Sequence, residues 1–185
     1  MNGGITMLST FIAIITVIAA IVLWTISTQR RLVVLDESIN NAMSQIGVQL
    51  SSRFDALTAL LDVIKGYAKP ESETLIDTIK SRRRLITAKS TPDDVLRQEG
   101  IISEALSRIA MVTEQYPELK ENPTYIKTME AVQTFENMIR ISRLIYNVCV
   151  AELSREIRMF PVSMIAGMLG FRQRDYLEEQ AAKAD

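Results

Sequence analysis

Acid–base or metal chemistry needs carboxylates held together, and four groupings qualify by spacing: Asp36/Glu37, Asp55/Asp62, Glu71/Glu73/Asp77 and Asp93/Asp94. Adjacent residues of a helix point to different sides, which sets the first and last apart from any shared site. Asp55 and Asp62 are seven residues apart and share a face, but two turns separate them by about 10 Å. There is no histidine in the chain, so the commonest general base, triad partner and metal ligand are all missing. A helical di-metal site would want Glu-x-x-His pairs. Cys149 is the one cysteine, which excludes an intramolecular disulfide and a cysteine-built zinc site. Its helical context reads as a small buried hydrophobe rather than a reactive thiol. No Gly-x-Gly-x-x-Gly, Walker loop or nucleophile elbow occurs. The reading is a non-enzyme with no cofactor and no metal, so the chemistry-bearing residues must be understood through the elements that carry them.

The element that locates the rest is Ile5 to Thr28, which holds no Lys, Arg, Asp, Glu or Pro. Twenty-four such residues suffice to cross a hydrocarbon core about 30 Å thick. Met1-Asn2-Gly3-Gly4 before it carry no basic side chain, and the apolar run is longer than a signal-peptide core, so a retained single-pass anchor is expected. Ile5, Phe11, Ile15 and Leu23 would face lipid, with Trp24 at the interface. Arg30 and Arg31 follow the span, and the positive-inside rule then predicts the N-terminus (1–4) outside and the remainder cytoplasmic.

About 155 residues remain, the size of one domain. Seven glycines and five prolines in 185 residues argue against a loop-rich or all-β fold, and a net charge of −1 gives no case for nucleic acid as a partner. The expected fold is all-α: the transmembrane helix continuing into an antiparallel up-down bundle of four long helices, at about 30–68, 71–88, 92–116 and 123–159, with an apolar segment and charged tail over 159–185. On the first helix Leu32, Leu35, Ile39, Ala42, Ile46, Leu50, Phe54, Leu57, Leu61, Ile64 and Ala68 recur in heptad rhythm with a stutter, the pattern of a coiled-coil-like stripe. Pro70 closes that helix and opens the next, where Leu75, Ile76, Ile79 and Ile86 mark the inner face. Lys80, Arg82, Arg83 and Arg84 lie on the outer one, read as solvated because no aromatic residues interleave with them.

Thr91-Pro92-Asp93-Asp94 and Asn122-Pro123 are cap-plus-proline starts for the third and fourth helices. Their apolar positions are Val95, Ile102, Leu106, Ile109, Val112 and Tyr116, then Ile126, Met129, Val132, Phe135, Ile139, Ile145, Val148, Leu153 and Ile157. Out, back, out and back brings the end of the fourth helix near the bilayer. There Met159–Phe171, thirteen uncharged residues between Arg158 and Arg172, are too few to span. Two readings stand for them. Phe160, Met164, Ile165, Leu169 and Phe171 contact lipid, with Arg172 and Arg174 on phosphates; or the segment folds onto the base of the bundle.

Several short motifs, in order, resemble the LemA family. They are Leu32-Val33 with Leu35, Ser44-Gln45-Ile46 with Val48-Gln49-Leu50, Arg53 with Asp55, and Lys65-Gly66-Tyr67-Ala68. Tyr116-Pro117-Glu118-Leu119-Lys120, Glu136-Asn137, Arg143 with Tyr146-Asn147, Phe160-Pro161 and Gly170-Phe171 follow. Where the family tends to read Leu-Ile-Pro-Asn this chain has Ala56-Leu57-Thr58-Ala59, and a second Tyr-Asn is replaced by Leu153-Ser154. The resemblance implies a helical bundle and attachment to a bacterial membrane, in a family that includes magnetosome-membrane proteins; it implies no defined activity. The polar motif residues Arg53, Asp55, Asn137, Arg143 and Asn147 are read as fixing pairing and register within the bundle. The leading functional reading is a membrane-anchored scaffold or adaptor that self-associates or binds partner proteins and membrane lipid. The alternative is a sensing domain holding a small ligand between helices, in a pocket lined by Asp55, Arg143 and Asn147.

Overall fold

The computed structural model describes residues 2–66 and 77–177, with the backbone alone for 2–6. Expectations for Ala68, Pro70, Glu71, Glu73, Leu75, Ile76, the start of the second helix, the side chain of Ile5 and the tail after Glu179 lie outside the described residues. Among those described, the regular structure is helical and there is no strand. In chain order come α1 (Asn2–Lys65), α2 (Pro92–Gln115), a 3-10 turn (Pro117–Glu121), α3 (Pro123–Arg158) and α4 (Val162–Ala166). The chain divides into two units, one of Met1–Glu37 with Ala151–Arg174, the other of Ser38–Val150 with Asp175–Asp185.

α1 is one unbroken helix of 64 residues, about 96 Å at 1.5 Å per residue. Its apolar N-terminal part is long and apolar enough to cross a membrane, and none of that window is buried by the protein itself. The threonines there do not need water: Thr10, Thr16 and Thr25 donate their hydroxyls to the carbonyls of Met7, Ile12 and Ile21 at 2.7–2.9 Å. From Thr28 onward α1 is covered on one face. Leu32, Ile39, Ala42, Ile46, Leu50, Phe54, Leu57, Leu61 and Ile64 are all buried, as their spacing predicts. Met43, Gly47, Arg53 and Leu60 widen that face beyond a two-position seam.

The second helix departs from expectation. Residues 77–81 are helical, but 82–91 are not, whereas the pattern had carried the helix to Ala88. The amides of Arg82 and Arg83 donate to the carbonyls of Ile79 and Lys80, a tightening last turn. Beyond it the partners come from elsewhere: the Arg84 amide donates to Gln98 Oε1 at 2.8 Å, and Ile86 is buried with its backbone laid against Gly47. Tertiary contacts there outcompete the helical ladder, and Arg82, Arg83 and Arg84 each reach a different carboxylate, Glu104, Asp55 and Asp94.

The predicted caps form. Thr91 and Asp94 make a reciprocal capping box at the start of α2, with Pro92 in the first turn. Asn122 Oδ1 accepts from the amides of Thr124 and Tyr125 at the start of α3. The core of α2 is Val95, Ile101, Ile102, Ala105 and Ile109, joined by the polar Gln98 and Thr113. On α3 the apolar residues divide: Val132, Ile139, Tyr146, Val150 and Leu153 are buried, whereas Ile126, Ile145 and Val148 are exposed. The peptide between Phe160 and Pro161 is cis.

Candidate functional site

Arg53 sits on the inner face of α1 because Leu50 and Leu57, three residues before and four after, are both core. Its Nη2 donates to Glu136 Oε2 on α3 at 2.7 Å, and its Nε is buried with no hydrogen-bond acceptor. Glu99 reaches the same place from α2, held there by Val95 and Ile102, four residues before and three after. Arg143 of α3 donates Nη1 to both Glu99 oxygens at 3.1 and 3.4 Å. The result is a run of alternating charge, Glu136–Arg53–Glu99–Arg143, that draws on three helices. Desolvation is its dominant electrostatic feature. Burial holds Arg53 below the usual guanidinium value against the pull of Glu136 and Glu99. It also raises Glu99 above the usual carboxylate value against the pull of Arg143 and Arg53.

The other polar residues singled out by sequence go elsewhere. Asp55 is exposed and accepts from Arg83 Nη1 at 2.6 Å; Arg83 in turn lies over the Phe54 ring. Asn137 is exposed beside Arg140. Asn147 clasps the segment after α4, its Nδ2 donating to the Leu177 carbonyl and its Oδ1 accepting from the Leu177 amide, while the Tyr146 hydroxyl donates to the Asp175 carbonyl. Arg53 and Arg143 thus share one network, whereas Asp55, Arg143 and Asn147 engage three separate partners. Sequence reasoning passed over Glu99, Glu136 as an ion-pair partner, and Gln98. For Gln98 and Glu99 a signal existed, since both lie at helical spacing from Val95 and Ile102.

The basic run is neutralised within its own unit. Lys80 pairs with Asp62, Arg82 with Glu104, Arg83 with Asp55, and Arg84 lies 3.9 Å from Asp94. Asp94 is held below the usual carboxylate range first by its bonds from Thr91, and Glu104 by those from Arg82 and Arg108. Among the described residues no three of His, Cys, Asp and Glu are grouped to hold a metal ion. Asp36/Glu37, Asp55/Asp62 and Asp93/Asp94 form no such group. Cys149 is partly buried on α3.

Two apolar surfaces remain. In the larger unit Met138, Ile141, Leu144, Ile145 and Val148 of α3 are each between 42% and 65% exposed. In the smaller unit Met159, Phe160, Met164 and Met168 are exposed after α3, while Ile165, Leu169 and Phe171 are half-buried. Arg172 is exposed there, and Arg174 pairs with Asp36. On α1, Phe11, Ile15, Leu23, Trp24, Arg30 and Arg31 are all exposed, Arg31 while paired with Glu156.

Regular structure that is helical throughout the described residues, with one bare apolar helix near the N-terminus, defines a membrane-associated helical protein. The chain belongs to the LemA family, whose sequence model matches residues 42–185. It is similar to magnetosome proteins MamQ 1 and MamQ 2 of Paramagnetospirillum magneticum, with 31% identity over 88 residues in each case. It is also similar to magnetosome protein MamQ of Magnetospirillum gryphiswaldense, with 28% identity. Each of these matches takes in 48% of this chain and spans about a third (32%) of the relative's length.

Proposed function

We propose that this chain is a membrane-anchored helical scaffold that associates with further copies of itself. α1 crosses the bilayer once, with its N-terminus outside and the rest cytoplasmic, and the helices after it form an antiparallel up-down bundle. The alternating charges at Arg53, Glu99, Glu136 and Arg143 set the register of that bundle, since burying Arg53, Glu99 and Arg143 costs stability that an apolar core would not.

One observation carries the association: the apolar stripe of α3. Met138, Ile141, Ile145 and Val148 are spaced three, four and three apart with Leu144 beside them, the rhythm of a helix–helix seam, yet they are exposed. A second copy of the same stripe is the occupant whose spacing matches by construction, because a two-fold contact places one patch against itself. Two such patches bury on the order of 1,000 Å², where specific interfaces begin. Anchoring both partners in one bilayer raises their effective concentration and makes a contact of that size sufficient. The magnetosome names of the relatives fit a protein that organises a membrane compartment.

The test is disulfide crosslinking of the full chain in vesicles. With Cys149→Ala as background, Ile141→Cys or Leu144→Cys gives a covalent dimer, and adding Ile145→Glu lowers its yield about tenfold, the equivalent of ~1.4 kcal/mol. Monomer alone from both cysteine variants refutes self-association. A crosslink only to a different protein, seen in native membranes, would replace the second copy with an adaptor's partner.

A further inference from the structure

The smaller unit ends α3 with an apolar turn tethered at both sides. Before the turn, Arg31 Nη2 donates to Glu156 Oε1 at 2.7 Å. After it, Arg174 donates Nε and Nη2 to Asp36 Oδ1 at 3.2 and 2.8 Å. Between these ties the chain closes on itself. The Leu169 amide bonds to the Ile165 carbonyl, Gly170 to Gly167, and Phe171 to Ala166. Gly170 takes a φ of 85°, where a side chain would be strained. Ala166 is fully enclosed, and Ile165, Leu169 and Phe171 are half-buried.

That closure leaves four long apolar side chains outside: Met159 at 54%, Phe160 at 79%, Met164 at 67% and Met168 at 87% exposure. What lies beside them is given by the tethers. Phe160 is four residues from Glu156, at most about 14 Å of chain from the Arg31 contact. On α1 itself Thr28 is the first covered residue, and the large apolar side chains from Met7 to Ile26 are bare. The turn is therefore tied to α1 one to two turns beyond the stretch that fits a bilayer. Arg158 and Arg172, both exposed, bracket the turn in sequence, and Arg30 is exposed on α1 in the same unit.

We propose that Met159–Phe171 is a second, non-spanning membrane contact. Phe160, Met164 and Met168 enter the interfacial zone of the leaflet from which α1 emerges, and Arg158 and Arg172 meet the phosphates of anionic lipids. Three unbranched methionines suit a fluid boundary, since they conform to whatever chains they meet. Insertion of roughly 5–10 Å is enough for such a patch. The contact rests on α1 spanning the bilayer and is independent of self-association through α3.

The experiment uses the full chain with Cys149→Ala and single cysteines replacing Met164, Met168, Ile15 or Lys120, each carrying an environment-sensitive fluorophore. Reconstitution is in phosphatidylcholine vesicles with or without one third phosphatidylglycerol, containing lipids brominated near the headgroup or near the chain ends. Probes at Met164 and Met168 are expected to be quenched by the shallow bromines several-fold more than at Lys120, and more strongly with phosphatidylglycerol present. The probe at Ile15 is quenched best by the deep bromines. If Met164 and Met168 behave as Lys120 while Ile15 reports depth, the second contact is overturned and the span stands. Blue-shifted emission at both without quenching means that protein covers the turn, which also overturns it. An unquenched Ile15 removes the span and the contact with it.

Discussion

Adding one methyl group to α1 separates the packing argument from helix propensity. Gly47 is buried, and a Cβ there would collide with the carbonyl oxygen of Ile86 and lie 2.9 Å from its carbonyl carbon. Both obstacles are backbone, so no side chain can swing aside. Gly47→Ala must push the non-helical residues 83–87 away, at a cost of about 1–3 kcal/mol for overpacking. That shift also breaks the bond from the Arg84 amide to the buried Gln98 Oε1, leaving an unsatisfied acceptor at about 1–3 kcal/mol. Alanine's better helix propensity returns about 1 kcal/mol. The net is about 1–5 kcal/mol of destabilisation, or roughly 2–20 °C in Tm for a chain of this size. Gly100→Ala on α2 is the control, because a Cβ there meets nothing within 4 Å and the position is exposed. It should stabilise by about 0.5–1 kcal/mol. Thermal unfolding of the full chain in detergent, followed by helical circular dichroism, reads both. If Gly47→Ala unfolds at or above the parent temperature, Ile86 does not pack on Gly47 as described.

Two further outcomes follow from the polar contacts. Glu99 is raised above the ordinary carboxylate value chiefly by burial, so between that value and its folded one it holds a proton that the unfolded chain has released. The folded state then binds more protons and stability falls as pH rises through that window. Glu99→Gln removes this fall, so the stability difference between variant and parent, from urea midpoints, should grow in the variant's favour with rising pH; a constant difference would show that Glu99 is not desolvated. Asn147→Ala deletes both bonds to the Leu177 backbone, worth about 1 kcal/mol each, so local opening at Leu177 should rise about thirtyfold in hydrogen exchange. Unchanged exchange there would refute the clasp.

The features most legible in the sequence were those set by local chemistry. Twenty-four uncharged residues, a Thr-Pro-Asp-Asp start and an Asn-Pro start each specify their element without help from the rest of the chain, and α1, α2 and α3 begin or run as those signals indicate. The stripe on α1 was legible because its apolar residues keep to one face. On α3 apolar residues occupy two faces, and periodicity alone does not say which is inward; Ile145 and Val148 are out, Tyr146 and Val150 in. Residues 82–88 look helical in isolation and are not, because Gly47 and Gln98, distant in sequence, take up their backbone instead. The polar contacts were legible as positions but not as pairs. Arg53 and Arg143 stand in inner-face register, yet nothing local names Glu136 and Glu99 as their partners, and the Asn147 clasp needs Leu177, thirty residues away.

α3 between Val132 and Val150 is apolar on opposite sides, since Ile139 and Ile141 lie about 200° apart around a helix of 3.6 residues per turn. An ordinary surface helix leaves half its circumference free to vary among polar residues. This one leaves only two narrow ribbons, running through positions such as Gln133 and Arg140 on one side and Ser142 on the other. Substitution by polar residues would be tolerated there and resisted on both broad faces, for the sake of the core on one and of the proposed second copy on the other.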